Sequence, residues 1–158
     1  MRSEPLDINE VITETIALTR GEMLRNRIAL ETQLASDLPQ IQGDRVQIQQ
    51  VIMNLVMNAV EAMSTVDVST RRLQIGTGAD PGNIVQVIIC DSGPPLAPEC
   101  IERFFEAFYS TKPSGMGIGL SICRSIVEAH DGTIWATANS DKGVTFHVSL
   151  PIWREADA

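Results

Sequence analysis

The chain has 158 residues, with 20 Asp or Glu against 12 Lys or Arg, a formal charge of −8, and 44% hydrophobic but only 4% aromatic side chains. That length suits one domain whose core needs no staples, and the aliphatic bias suits layered α/β packing. The acidic balance offers no basic footprint for nucleic acid or an anionic membrane, no apolar run reaches the roughly 18 residues of a membrane span, and MRSEPLDINE shows no secretory pattern.

In chain order, Leu6-Asp7 reads as a short edge strand, and Asn9 as the cap of a helix through Val11, Ile12, Ile16 and Leu18. Ile28, Leu30 and Thr32 alternate with Ala29, Glu31 and Gln33 and predict a strand. Leu38 to Gly43 reads as a loop around Pro39. Asp44 then opens a long helix to about Met63, its carboxylate well placed near the N-terminus. Strands are expected near Arg72 to Thr77 and Ile84 to Asp91, joined as a hairpin through Asp80, Pro81 and Gly82. The pattern is weak from Ser92 to about Met116, a length typical of functional or disordered loops. A helix follows to His130. Thr133 to Ala138 and Val144 to Leu150 close a second hairpin, with Val144, Phe146, Val148 and Leu150 on one apolar face. Hairpins dominate, so the expected fold is α+β: one antiparallel-rich sheet with helices on one face, not a doubly wound parallel sheet.

Three stretches carry chemistry. On the helix DRVQIQQVIMNLVMNAVEAM, Ile48, Ile52, Leu55, Ala59 and Ala62 form the buried stripe. Asn54 and Asn58 are four apart at its edge. Amide oxygens are hard neutral ligands that suit Mg²⁺ holding phosphates and water; both amides could equally bond neighbouring backbone. Gly115, Gly117 and Gly119 precede a helix, and free N–H groups at a helix start attract anions. They form either a phosphate cradle or an ordinary turn, and their spacing fits neither common phosphate-loop signature. In IICDSGPP, Asp91 ends a strand, where its carboxylate can accept from an exocyclic amine such as adenine's or close a local turn.

Taken together, these pieces resemble the catalytic ATP-binding domain of sensor histidine kinases, a group related to type II topoisomerase and mismatch-repair ATPases. Gln50 to Ala62 is similar to the N box, Asp91-Ser92-Gly93 to the first glycine box, Phe104 to Ile122 to the phenylalanine and second glycine boxes, and Gly143-Val144-Thr145-Phe146 to the closing strand. The segments NAVEAM and FYSTKPSGMGIGLSI look closest to PAS-linked sensor kinases.

The resemblance implies a Bergerat-type two-layer α/β sandwich: a mixed, mostly antiparallel sheet, about three helices on one face, and an ATP lid from Ser92 to Ser114. It implies ATP and Mg²⁺ as cofactors. Asn58 would coordinate the metal, with Asn54 supporting phosphate or metal. Asp91 would bond the adenine amino group, with Gly93 admitting the base and Thr145 nearby. Gly115, Gly117 and Gly119, with Leu120 behind them, would hold the triphosphate. Lys112 would contact phosphate. Phe105 and Phe108 read either as lid anchors or as ordinary core.

Two departures stand out. Pro95 occupies the place of the first glycine box's second glycine, and Pro94-Pro95 remove two donors. Asn54 stands where hydrolytic relatives carry a glutamate base, and an amide cannot be a general base near neutral pH. Neither His130 nor His147 fits the family's phosphoacceptor motif. His130 reads as a helix terminator and His147 as an exposed strand residue. The expected partner is therefore a helical dimerisation and phosphoacceptor domain of the same kinase, with a response regulator engaged indirectly. Cys90, Cys100 and Cys123 lack metal-ligand spacing and fit a reducing, cytoplasmic compartment. The implied activity is autophosphorylation in two-component signalling. The alternatives are a nucleotide-binding module without turnover, a related ATPase and a protein-serine kinase.

Overall fold

The computed structural model describes residues 2–80, 82, 84–106 and 119–154. In order, the elements are β1 (Glu4–Leu6), α1 (Ile8–Arg25), β2 (Ala29–Gln33), β3 (Ile41–Gly43), α2 (Arg45–Ala62), two short 3₁₀ turns (Met63–Thr65 and Val68–Thr70), β4 (Arg72–Asp80), β5 (Ile84–Asp91), α3 (Pro98–Glu102), α4 (Gly119–Ala129), β6 (Thr133–Ala138) and β7 (Val144–Pro151).

Five strands form the main sheet in the order β2-β4-β5-β7-β6. β2 runs parallel to β4, and every other neighbouring pair is antiparallel. The sheet is therefore mixed and mostly antiparallel, as the hairpin signals imply. Alternation puts Leu73, Ile75, Val85, Val87, Ile89, Val144, Phe146, Val148 and Leu150 on its buried face. Against them α2 buries Ile48, Val51, Ile52, Leu55, Val56, Ala59 and Val60, while α4 buries Cys123 and Val127. α1 packs beside α2 through Ile8, Val11, Ile12 and Met23. Fully burying one such aliphatic side chain stabilises the fold by roughly 1.5–3 kcal/mol, so this face holds the layers together. Ala62, expected in the buried stripe, is half-buried at the end of α2.

The opposite face of the sheet carries Gln74, Gln86, Ile88, His147 and Trp135. His147 is not simply exposed there. Trp135 stacks on it at 4.9 Å with rings 1° from parallel, Thr137 Oγ1 lies 2.9 Å from its Nε2, and partial burial lowers its pKa.

Four local expectations change. Leu38 to Gly43 is not all loop: Ile41–Gly43 pairs with Glu4–Leu6 in a separate two-stranded sheet. Ile41 is fully buried, and three residues are too few for alternation to register in sequence. Asn9 does not cap α1. Asp7 does, accepting from Asn9 N at 3.0 Å. Asn9 instead donates to Ala35 O (2.7 Å) and accepts from Thr77 Oγ1 (2.9 Å), tying α1 to the sheet. The weak stretch after Ser92 contains α3, started by Pro98 in its first turn, where the missing N–H costs nothing. β4 runs on to Asp80, whose Oδ1 accepts from Gly82 N at 2.9 Å.

Candidate nucleotide site

The site is built on α2. Asp44 caps its start, with one carboxylate oxygen accepting from Arg2 N (2.9 Å) and the other from Gln47 N (3.2 Å). These bonds, that from Arg2 first, hold its carboxyl below the ordinary carboxylate range. Asp44's own N–H donates to His130 Nε2 at 3.0 Å. That nitrogen must then be an acceptor, so Nδ1 carries the proton and donates to Ile126 O at 2.7 Å. The buried imidazole terminates α4 as expected and also binds the end of α4 to the start of α2.

Along α2, Asn54, Asn58 and Ala62 follow at four-residue spacing and share one half-buried edge. They are eight residue steps end to end, or about 12 Å of helix. At one end, Asn54 Nδ2 approaches Cys123 Sγ of α4 at 3.7 Å, and the thiol faces Val51 O at 3.9 Å. Burial pushes the Cys123 thiol up to about 11, so it is a neutral partner. At the other end, Ala62 meets Gly93. A Cβ on Gly93 would stand 3.2 Å from Ala62 O and 3.0 Å from Asp91 Oδ1.

Asp91 is buried at the end of β5, only 4% exposed. Its Oδ1 accepts from Gly93 N at 2.9 Å and from Val144 N at 3.3 Å. The local turn therefore forms, and together with the Val144 amide it fixes the carboxylate. Pro94 and Pro95 leave this arrangement intact, since Gly93 keeps its N–H on the carboxylate.

Two residues with no assigned role from sequence support Asp91. Gly143 has φ +84, and a Cβ there would collide with the Asp91 carbonyl oxygen, so only glycine fits. Asn139 donates to Asp91 O at 3.0 Å. A glycine closing the turn before a strong strand was the available signal for the first; nothing in local pattern marks the second.

Thr145 is not brought to Asp91's carboxylate. It pairs in register with Cys90 and Thr137, alternates with buried Val144 and Phe146, and donates to Asn139 Oδ1 at 2.6 Å. Val144 takes the position beside Asp91 instead.

Gly119 opens α4, and a Cβ there would meet none of the described residues within 4 Å. Among the described residues, no contact demands glycine at that position. Leu120 is half-buried against the core. Phe104 is buried and stacks on Phe146 at 5.8 Å, while Phe105 meets the same ring edge-on at 6.1 Å, so both belong to the core beneath this end of the site. Lys112, Gly115, Gly117 and Phe108 lie outside the described residues. Among the described residues, no cluster of three His, Cys, Asp or Glu could hold a metal, and no helix is long and apolar enough to cross a membrane.

The chain matches known proteins in the same terms. The family described as histidine kinase-, DNA gyrase B- and HSP90-like ATPase matches residues 43–154. Sensor histidine kinase TmoS of Ectopseudomonas mendocina is 39% identical over 151 residues, covering 94% of this chain and 15% of the relative. The catalytic domain of histidine kinase ThkA superposes with a TM-score of 0.83 at 34% identity, covering 96% of this chain and 97% of that one. ThkA in complex with response regulator protein TrrA matches at 0.80 and 32%, with 96% and 42% covered. Full-length ShkA in complex with AMPPNP matches at 0.84 and 26%, with 96% and 31% covered. The chain spans between 15% and 28% of the length of four sensor proteins that it resembles. With this sheet, this helix layer and this motif order, the chain belongs to the histidine kinase-, DNA gyrase B- and HSP90-like ATPase family, on its sensor histidine kinase branch.

Proposed function

We propose that the 158 residues form one ATP-binding catalytic domain that supplies the γ-phosphate for autophosphorylation of a histidine on a separate helical dimerisation domain. The observation that carries this reading is the line Asn54–Asn58–Ala62, which runs from the start-side packing of α4 to the socket of Asp91 and Gly93. Its length of about 12 Å suits a nucleoside triphosphate lying along one helix edge. Asp91 would accept from the adenine amine, Gly93 would admit the base, and Gly119 with Gly115, Gly117, Leu120 and Lys112 would face the phosphates.

Mg²⁺ fits the donor set, with Asn58 as its protein ligand and Asn54 beside it, and when bound it supplies charge neutralisation at the phosphates. Asn54 offers no proton acceptor of carboxylate strength, which favours transfer to another group over hydrolysis. The nucleophilic imidazole would come from the dimerisation domain, and positioning would do most of the catalysis. ShkA's complex with AMPPNP and ThkA's with TrrA support a nucleotide here and a response regulator as the eventual acceptor. The reading places the domain in the cytoplasm.

Calorimetric titration of the chain with Mg-ATP tests the binding half: saturable binding to about one site is expected, and its absence removes the reading. Adding the helical dimerisation domain tests the other half, through formation of acid-labile phosphohistidine.

A further inference from the structure

One side chain joins the turn between β6 and β7 to the end of β5. Asn139 Nδ2 donates to Asp91 O (3.0 Å) and to Lys142 O (3.1 Å), and lies 3.4 Å from Cys90 Sγ. Its Oδ1 accepts from Thr145 Oγ1 at 2.6 Å, the shortest of these bonds. Its backbone N donates to Gly143 O at 3.0 Å. The turn clamped in this way delivers Val144 N to Asp91 Oδ1. The turn thus holds the Asp91 main chain, the residue that follows the turn joins Gly93 N in holding its carboxylate, and Thr145 fixes which way the Asn139 amide faces.

We propose that Asn139 and Thr145 are positioning residues for base selection: they set the Asp91 carboxylate at the angle that accepts an exocyclic amine, and so favour adenine over a 6-oxo purine. This rests on the reading of Asp91 as the base acceptor. A carboxylate only accepts hydrogen bonds. Adenine offers its amine as a donor. Hypoxanthine offers a carbonyl oxygen at that place, acceptor against acceptor, and a donor at the adjacent ring nitrogen. A carboxylate held still meets the carbonyl and rejects the base. A carboxylate free to shift reaches the ring N–H and tolerates it. Loosening the clamp therefore lowers selectivity, whereas a role in stability alone weakens both nucleotides together.

The test is calorimetric binding of Mg-ATP and Mg-ITP to the 158-residue chain, unaltered and as Thr145→Val, Thr145→Ser and Asn139→Ala. Thr145→Val exchanges the hydroxyl for a methyl and should reduce the ATP-to-ITP affinity ratio about threefold to tenfold, the worth of one hydrogen bond. Thr145→Ser keeps the hydroxyl and should keep the ratio. Asn139→Ala should reduce it at least as far; if that variant does not fold, the threonine pair decides. An unchanged ratio in Thr145→Val, or equal losses for both nucleotides, overturns the inference while leaving ATP binding in place. Failure of the unaltered chain to bind ATP overturns the reading of the site and this inference with it.

Discussion

His130 and Asp44 meet through a 3.0 Å hydrogen bond from backbone to imidazole, across 86 residues of sequence. The residue that ends α4 is thereby fixed to the cap of α2, and the two helices that flank the candidate site keep their spacing. A Cβ on Gly43 would stand 3.0 Å from the same ring, so the strand before α2 is pressed against it as well.

His130→Ala should therefore cost stability. It leaves the Asp44 N–H without its partner and opens a cavity in a buried region, together about 2–4 kcal/mol. Urea unfolding measures this. A midpoint equal to that of the unaltered chain would contradict the pinning role.

Asp91→Asn separates recognition from folding. Asparagine keeps an oxygen for the N–H groups of Gly93 and Val144, so the melting temperature should change little. The affinity for ATP should fall roughly tenfold to a hundredfold, because an anionic acceptor is lost. Equal ATP affinities in the two proteins would remove Asp91 from the base site.

Gly119→Ala asks whether a ligand, not the fold, requires glycine at the start of α4. The added methyl meets none of the described residues, and alanine is the better helix former, so stability should hold or rise by up to about 1 kcal/mol. ATP binding should nevertheless weaken, by about tenfold or more if the methyl occupies phosphate space. Undiminished binding would place the phosphates elsewhere.

Cys123 predicts an alkaline loss of stability. In the folded chain its thiol ionises only near 11, against an ordinary value of 9.0. Below that ordinary value both states hold the proton and the group contributes no pH dependence. Between 9.0 and about 11 the unfolded chain gives up a proton that the folded chain retains, so stability falls as pH rises. The loss attributable to this thiol should be about 2 kcal/mol by pH 10.5. It should be absent from Cys123→Ala, whose lower starting stability is compared across pH by denaturant unfolding. Parallel pH curves for the two proteins would refute it.

Much of the architecture was legible because period and punctuation agreed. The 3.6-residue stripe on α2, its Asp44 cap, and the alternation of Val144, Phe146, Val148 and Leu150 each point to one element. β3 and α3 were not legible, since three and five residues show no period and their existence depends on tertiary partners. Asn9 has the chemistry of a cap, but Asp7 two residues earlier has it too, and the Asn9 amide is taken by Ala35 and Thr77. In the candidate site, motif spacing pointed to Asp91 and Gly93. It could not reveal the face on which Thr145 lies, nor that Asn139, far from Asp91 in sequence, would hold it: strand register decides the first, and a long-range contact decides the second.

Both bonds described on Asp91 Oδ1 come from main-chain amides, those of Gly93 and Val144. Every amino acid except proline can provide such a donor. The anchoring of this acid is therefore indifferent to side-chain identity at position 144 but vulnerable to an imino acid at either 93 or 144. Pro94 and Pro95 follow Gly93 directly, so the stiff dipeptide can sit at the lip of the socket without unfastening either amide.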